Sequence, residues 1–166
     1  MVVHAAALKQ VPATEYNPFE AVKTNIVGSQ NVIDAALATG VSKVLLVSSD
    51  KAVEPINLYG ATKLSAEKLF VAANAYVGER QAAFSVVRYG NVIGSRGSLV
   101  ELVDRLRSTG RIPLTDKRMT RFWIRIENVV DVVLECLSIM QGGEIFVPKM
   151  KNMRVADVIK LLAPEC

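Results

Sequence analysis

The sequence predicts an α/β chain built on a doubly wound, mostly parallel sheet. Short apolar runs alternate with longer amphipathic ones, an order that calls for right-handed crossovers between parallel strands. One run, KVLLVSS (43–49), is almost continuously apolar, as a strand covered on both faces must be. The chain has 166 residues, 51% hydrophobic and 22% charged, enough to bury a core of its own.

The elements follow in order. VVHAAA (2–7) reads as a strand, and a loop containing Pro12 follows it. A helix is predicted over about 18–39, where Ala21, Ile26, Val27, Val32, Ile33 and Ala36 form a wide apolar face and Gly40 stops it. After strand 43–49 a second helix covers about 58–76, and FSVVRYG (84–90) is the next strand. The glycine-rich loop GNVIGSRG (90–97) leads into a helix near 99–108. Strand FWIRI (122–126), a helix from 127 to about 140, strand EIFV (144–147) and a helix over 155–162 complete the chain. Open sheets of this kind bind ligands outside the carboxyl ends of their strands, where AAALKQ (5–10), SSDK (48–51) and RYGNV (88–92) are expected to cluster. No two glycines stand at i and i+2, so a G-x-G-x-x-G phosphate turn is not among these residues.

Composition narrows the function classes. No apolar run is long enough to span a membrane, and MVVHAAALKQ lacks the flank of a signal peptide. Cys136 and Cys166 fit neither a disulfide framework nor a metal-ligand spacing, and His4 is the sole histidine, so no metal is expected. A reducing, cytoplasmic protein is the expectation. The net charge of +4 is mild. TDKRMTRFWIR (115–125) is the densest basic stretch, but without a basic helical face or a repeated aromatic platform it suits a small anion, or a solvated strand edge, better than nucleic acid.

The chemistry is expected around SSDKAVEPINLYGATK (48–63). Tyr59 and Lys63 stand at i and i+4 on a predicted helix and share a face. A nearby ammonium and a cationic nicotinamide would stabilise the phenolate and lower its pKa, fitting Tyr59 to take a proton from a substrate hydroxyl. An exposed helix pair would show the same spacing. Ser49 can bond the same hydroxyl or simply end its strand. Asp50 and Lys51 could supply an acid and a base side by side, or be a solvated pair. Asn25, inside the first helix, faces solvent or props backbone or water near the tyrosine-lysine pair. Asn91 stands at the ligand-facing end of its strand, where a substrate hydrogen bond competes with an ordinary turn. Arg96 and Arg121 are diphosphate partners by guanidinium geometry, or exposed surface.

AAALKQVP, NIVGSQNVIDAA, SSDKAVEPINLYGATK, VVRYGNVIGSRGS, MTRFW and GGEIFVPK together resemble the extended short-chain dehydrogenase/reductases. Among these the chain is most similar to the configuration-inverting UDP-N-acetylglucosamine 4,6-dehydratases of pseudaminic acid and flagellin-glycan biosynthesis. Sugar epimerases of that superfamily usually lack the Asp-Lys pair, glucose-type dehydratases carry Asp-Glu there, and retaining dehydratases commonly have methionine at the position of Tyr59. The resemblance implies a partial Rossmann-like fold: residues 1–110 as the C-terminal portion of an NADP-binding domain with the catalytic residues, and 111–166 as part of a small substrate lobe interleaved with the last Rossmann elements. It implies Tyr59 as base at carbon 4, Lys63 on the cofactor ribose, Lys51 as base at carbon 5, and Asp50 as acid for the hydroxyl leaving carbon 6. Ala6, Ala7, Lys9, Ser48 and Val92 would line the NADP or substrate cleft, and Asn91 would touch UDP-N-acetylglucosamine. Homo-oligomers would form through the helices at 18–39 and 58–76. The match begins at the family's fourth strand, so roughly 60–90 residues of the family pattern are not represented, at about 30 per βα unit. Weak NADP binding, little activity and an exposed sheet edge beside VVHAAA are the expectations for these 166 residues. A sugar-nucleotide 4-epimerase, a retaining dehydratase or a non-catalytic oligomerising remnant are the alternatives.

Overall fold

A computed structural model describes residues 1–78 and 81–166. The chain divides into two units, one of residues 1–88 and 131–148, the other of residues 89–130 and 149–166.

The first unit is organised by a sheet of order β1-β2-β3-β6. β1 (Val2–His4) runs parallel to β2 (Lys43–Ser49) in the register Val2↔Val44 to His4↔Leu46. β3 (Ala83–Tyr89) lies on the other side of β2, and β6 (Ile145–Phe146) pairs parallel with it, so the sheet is mostly parallel as expected. Val44, Leu45 and Leu46 of β2 have no exposed surface, which is why that strand reads as an unbroken apolar run. Ile33, Ala36, Ala66, Phe70, Phe84 and Val86 pack on one side of it as a single core. His4 is part of this packing, its ring stacked on Phe70, which meets Phe84 edge-on. β1 is the edge of the sheet, with Val2 and Val3 exposed.

The helices depart from expectation in two places. The segment with Pro12 is a helix, α1 (Val11–Tyr16), because proline in a first turn has no backbone hydrogen bond to lose. The region 18–39 is interrupted. α2 (Pro18–Val22) and α3 (Gly28–Thr39) are joined by a π-helical turn over Lys23–Val27, with the Gly28 N–H reaching back to the Lys23 carbonyl. Gly40 ends α3 at φ 71°, a left-handed conformation that glycine adopts without strain. α4 (Leu58–Ala73) continues as a 3₁₀ turn to Tyr76, in agreement with a helix over 58–76. Asn74 at its end accepts from the Phe84 N–H at 3.0 Å and donates to the Phe84 carbonyl at 2.8 Å, tying helix to β3.

The second unit contains β4 (Asn91–Val92), α5 (Leu99–Leu106), β5 (Thr120–Ile124), β7 (Lys151–Arg154) and α7 (Val155–Leu162). β4 is parallel to β5, and β7 is antiparallel to it. Val103, Val155, Ile159 and Ala163 form its core. β7 escaped the sequence pattern because KNMR is exposed along its whole length and has no apolar face to alternate. The helix α6 (Ile126–Ile139) runs through the division between Val130 and Asp131.

This partition is discontinuous, with the two units interleaved along the chain. Residues 89–110 belong with the second unit because β4 pairs with β5 and Leu99 and Val103 of α5 pack with α7. Residues 131–148 return to the first because β6 pairs with β3. Among the described residues no helix is long and apolar enough to cross a membrane.

Candidate active site

β2 delivers Ser49 in extended conformation, and a single 3₁₀ turn (Asp50–Ala52) follows at once. That turn folds three polar side chains together. The Ser49 hydroxyl donates to Asp50 Oδ1 at 3.0 Å and accepts the Lys51 N–H at 3.3 Å, while Lys51 Nζ meets the same Asp50 oxygen at 2.9 Å. The Ser49 and Asp50 side chains both act on the Tyr59 phenol. Ser49, Asp50, Lys51 and Tyr59 therefore form one contiguous cluster at the carboxyl end of a central strand.

Tyr59 reaches it because α4 begins where it does. Asn57 caps the helix by accepting the Gly60 N–H at 2.9 Å, and Glu15 of α1 accepts the Leu58 N–H at 2.7 Å. Gly60 then allows the 3₁₀ turn to lie directly on the helix. A Cβ at this position would collide with the Lys51 carbonyl oxygen and come within 2.9 Å of Pro55 Cβ. Gly60→Ala is expected to cost about 1–3 kcal/mol through this overpacking, read as a lowered urea midpoint with the slope unchanged. A wild-type midpoint would mean that the turn and the helix are not held this close.

Lys63, one helical turn further, is 4% exposed and donates to the Val47 carbonyl at 2.7 Å. Burial lowers its amine from 10.5 to about 8, partly opposed by the negative charge of Glu67. In the protein alone the Tyr59 phenol is shifted the other way from the lowering expected beside a cationic nicotinamide. Burial raises its phenol above the usual value, the Ser49 hydrogen bond pulls it down, and the Asp50 charge pushes it up again. The cause of the difference is direct: the Lys63 amine bonds β2 backbone, and desolvation of the phenolate dominates.

Asn25 is buried and acts as a prop for backbone. Its amide oxygen accepts the Leu8 N–H at 2.8 Å, and its Nδ2 donates to the Leu8 carbonyl at 2.9 Å and to Thr62 Oγ1 at 3.0 Å. The Thr62 hydroxyl donates to the Tyr59 carbonyl. Ser29 donates to the Asn25 carbonyl at 2.7 Å and lies 3.1 Å from His4 Nε2. The loop Ala6, Ala7, Leu8, Lys9 is thus clamped by a side chain, which also explains why β1 stops at His4 rather than Ala7. Lys9 is exposed in that loop.

Ser48 is placed otherwise than a cleft-lining side chain would be. Its hydroxyl is turned inward to Glu67 Oε1, in the core. Glu67 and its partner Arg88 are the residues that the sequence pattern did not single out. Position 67 follows Lys63 by one turn and shares the inward face with Phe70, so a carboxylate on that face was the available signal.

The remaining candidates lie in the second unit. Asn91 and Arg121 line a cavity of about 480 Å³ there, together with Ser98, Arg105 and Trp123. Ser98 Oγ and Trp123 Nε1 are buried without a hydrogen-bond partner among the described residues. Val92 is in β4 opposite Ile124, and Arg96 is exposed in the following loop, outside that cavity lining.

Residues 1–165 match the family described as "Polysaccharide biosynthesis protein". The chain is 56% identical over 165 residues to the UDP-N-acetylglucosamine 4,6-dehydratase (inverting) of Campylobacter jejuni serotype O:2, covering 98% of this chain and 49% of that protein. It is 50% identical over 166 residues to an uncharacterized membrane protein of Methanocaldococcus jannaschii, covering 99% of this chain and 50% of that one. Among solved structures, Pen from Bacillus thuringiensis superposes with a TM-score of 0.93 at 43% identity, over 98% of this chain and 52% of that one. The chain spans about half the length of the curated relatives it matches.

Proposed function

The chain belongs to the polysaccharide biosynthesis protein family, and on that premise we propose that its site performs the 4,6-dehydration of UDP-N-acetylglucosamine with inversion at carbon 5. The observation that carries the proposal is the contact of Asp50 with Lys51 beside the Tyr59 phenol, on which Ser49 and Asp50 both act. A glucose-type elimination needs a base at carbon 5 and an acid at the carbon 6 oxygen on one sugar face, and this pair holds both in 2.9 Å contact.

The pair rests as an ion pair, with the proton on Lys51. Passing that proton across the contact to Asp50 produces an amine and a carboxylic acid, with no outside donor needed. Water exclusion by a bound sugar favours this neutral form, because separated charges lose their solvation. Lys51 then takes the carbon 5 proton, Asp50 gives its proton to the departing carbon 6 hydroxyl, and the ion pair is restored. As the phenolate, the form a bound cationic nicotinamide would favour, Tyr59 takes the proton of the carbon 4 hydroxyl and later releases it to solvent, with Ser49 orienting its oxygen. The sugar loses one water, and carbon 5 regains a proton from exchangeable groups.

The buried Lys63 amine and the Tyr59 phenol, one turn apart on α4, are a donor set that fits the ribose end of a nicotinamide dinucleotide, and Ala6, Ala7 and Lys9 are assigned to its cleft. NADP bound there supplies the capacity to accept hydride from carbon 4 and return it to carbon 6. The unpartnered Ser98 and Trp123 groups and the two arginines in the second unit's cavity support its assignment to the anionic part of the substrate, with Asn91 and Arg121 as its contacts.

The test joins this chain to the portion of the Campylobacter relative that it does not span, and supplies UDP-N-acetylglucosamine in deuterated water. Deuterium at carbon 5 of an inverted 4-keto-6-deoxy product is expected, and Lys51→Ala is expected to abolish it. Epimerisation at carbon 4 without deuterium at carbon 5 would refute dehydration.

A further inference from the structure

Glu67 is a charged side chain with 1% exposure, at the depth of the core. Arg88 of β3 holds its carboxylate through Nε at 2.9 and 3.1 Å and through Nη2. The Ser48 hydroxyl donates to the same carboxylate. Apolar residues of equal volume generally stabilise a fold as well as such a buried pair does, so its presence indicates a demand for position or charge.

The position is informative. Lys63 and Glu67 lie one turn apart on α4 and bind consecutive residues of β2, Lys63 the Val47 carbonyl and Glu67 the Ser48 hydroxyl. The next residues along β2 and its turn are Ser49 and Asp50. We propose that Glu67 is the positioning residue of this site: its buried carboxylate, clamped by Arg88, locks the end of β2 that bears Ser49 and Asp50 onto the helix face that bears Tyr59 and Lys63, and places a fixed negative charge beside the Lys63 amine. This rests on assigning Tyr59 and Lys63 to proton handling at the site.

The groups that act on Lys63 are few. Glu67 faces it from its own helix, and His4 faces it from β1. Burial and the Lys63 charge both lower the His4 imidazole, so Glu67 is the counter-charge on this side. Arg88 is engaged by Glu67 itself, and Asp50 with Lys51 stands at the Tyr59 end.

The titration of Lys63 in the 166-residue chain can be followed by trace acetylation against pH with mass-spectrometric readout. Glu67→Gln keeps the shape but removes the charge, and is expected to lower the Lys63 midpoint by roughly one unit. Ser48→Ala, which removes a neutral partner, is expected to leave that midpoint near wild type. A merely structural role for Glu67 predicts no shift in a folded Glu67→Gln variant, and that result would overturn the proposal. Should Glu67→Gln alone fail to fold, the double variant Glu67→Gln/Arg88→Met removes both charges together, and an unchanged Lys63 midpoint there is equally adverse. A lowered midpoint in a chain whose joined form makes no dehydrated sugar would sink the assigned reaction and leave the charge coupling standing. An unchanged midpoint alongside an active dehydratase would sink only the role of Glu67.

Discussion

Tyr59→Phe is expected to lower turnover of the joined enzyme by about 10²–10⁴-fold, the usual contribution of a positioned proton-transfer group, while substrate binding changes little. The reason lies in the cluster. Only the hydroxyl is lost, and the close approach of Gly60 to the turn that carries Asp50 and Lys51 is kept. Ser49→Ala sharpens the test. Its hydroxyl is the one influence that draws the buried phenol down, against burial and the Asp50 charge that push it up. Without Ser49 the phenol rises further, so the pH at which turnover reaches its plateau is expected to move upward. Measured pH–rate profiles for the three proteins decide the matter. A Tyr59→Phe enzyme with full turnover would remove the phenol from the reaction.

The second large effect is on stability. Lys63 titrates at about 8 in the fold against 10.5 for a free lysine. Below about pH 8 the amine is protonated whether the chain is folded or not, and the folded state bears the full cost of burying the charge, on the order of 3 kcal/mol. Between about 8 and 10.5 the unfolded chain binds more protons than the folded one, so unfolding free energy rises with pH across that window. Above it both forms are neutral and the cost is gone. Lys63→Met removes the charge but also the bond to the Val47 carbonyl, worth about 1 kcal/mol. The variant is therefore expected to be more stable than wild type at neutral pH by about 2 kcal/mol, with the gap closing as pH rises. Urea unfolding near pH 7 and at about pH 9.5 tests this, and a gap independent of pH would contradict it. A lysine that destabilises its own fold is the trade expected of a residue kept for function.

β2, α4, Gly40 as the stop of α3, and the strands β3 and β5 were legible in the sequence, because each carries its own periodicity or breaker. The grouping of side chains at the end of β2 was legible as well, since Ser49, Asp50 and Lys51 are adjacent and Tyr59 and Lys63 share a helical face. What escaped was whatever depends on a distant partner. Glu15 caps α4 across 43 residues, and Glu67 meets Arg88 across 21. The Asn25 clamp on the Leu8 backbone, 17 residues away, was open between solvent and prop until the π-helical turn aimed it inward.

Local pattern by itself determined that this chain folds as an α/β sheet with a carboxylate, an amine and a phenol at one strand end, because backbone geometry sets spacing within an element. Tertiary structure alone decided the state of those groups: which oxygen the Lys63 amine bonds, that burial raises rather than lowers the Tyr59 phenol, and that residues 89–110 join the second unit. Desolvation and pairing across elements govern these outcomes, and neither is encoded in the spacing of residues along a single strand or helix.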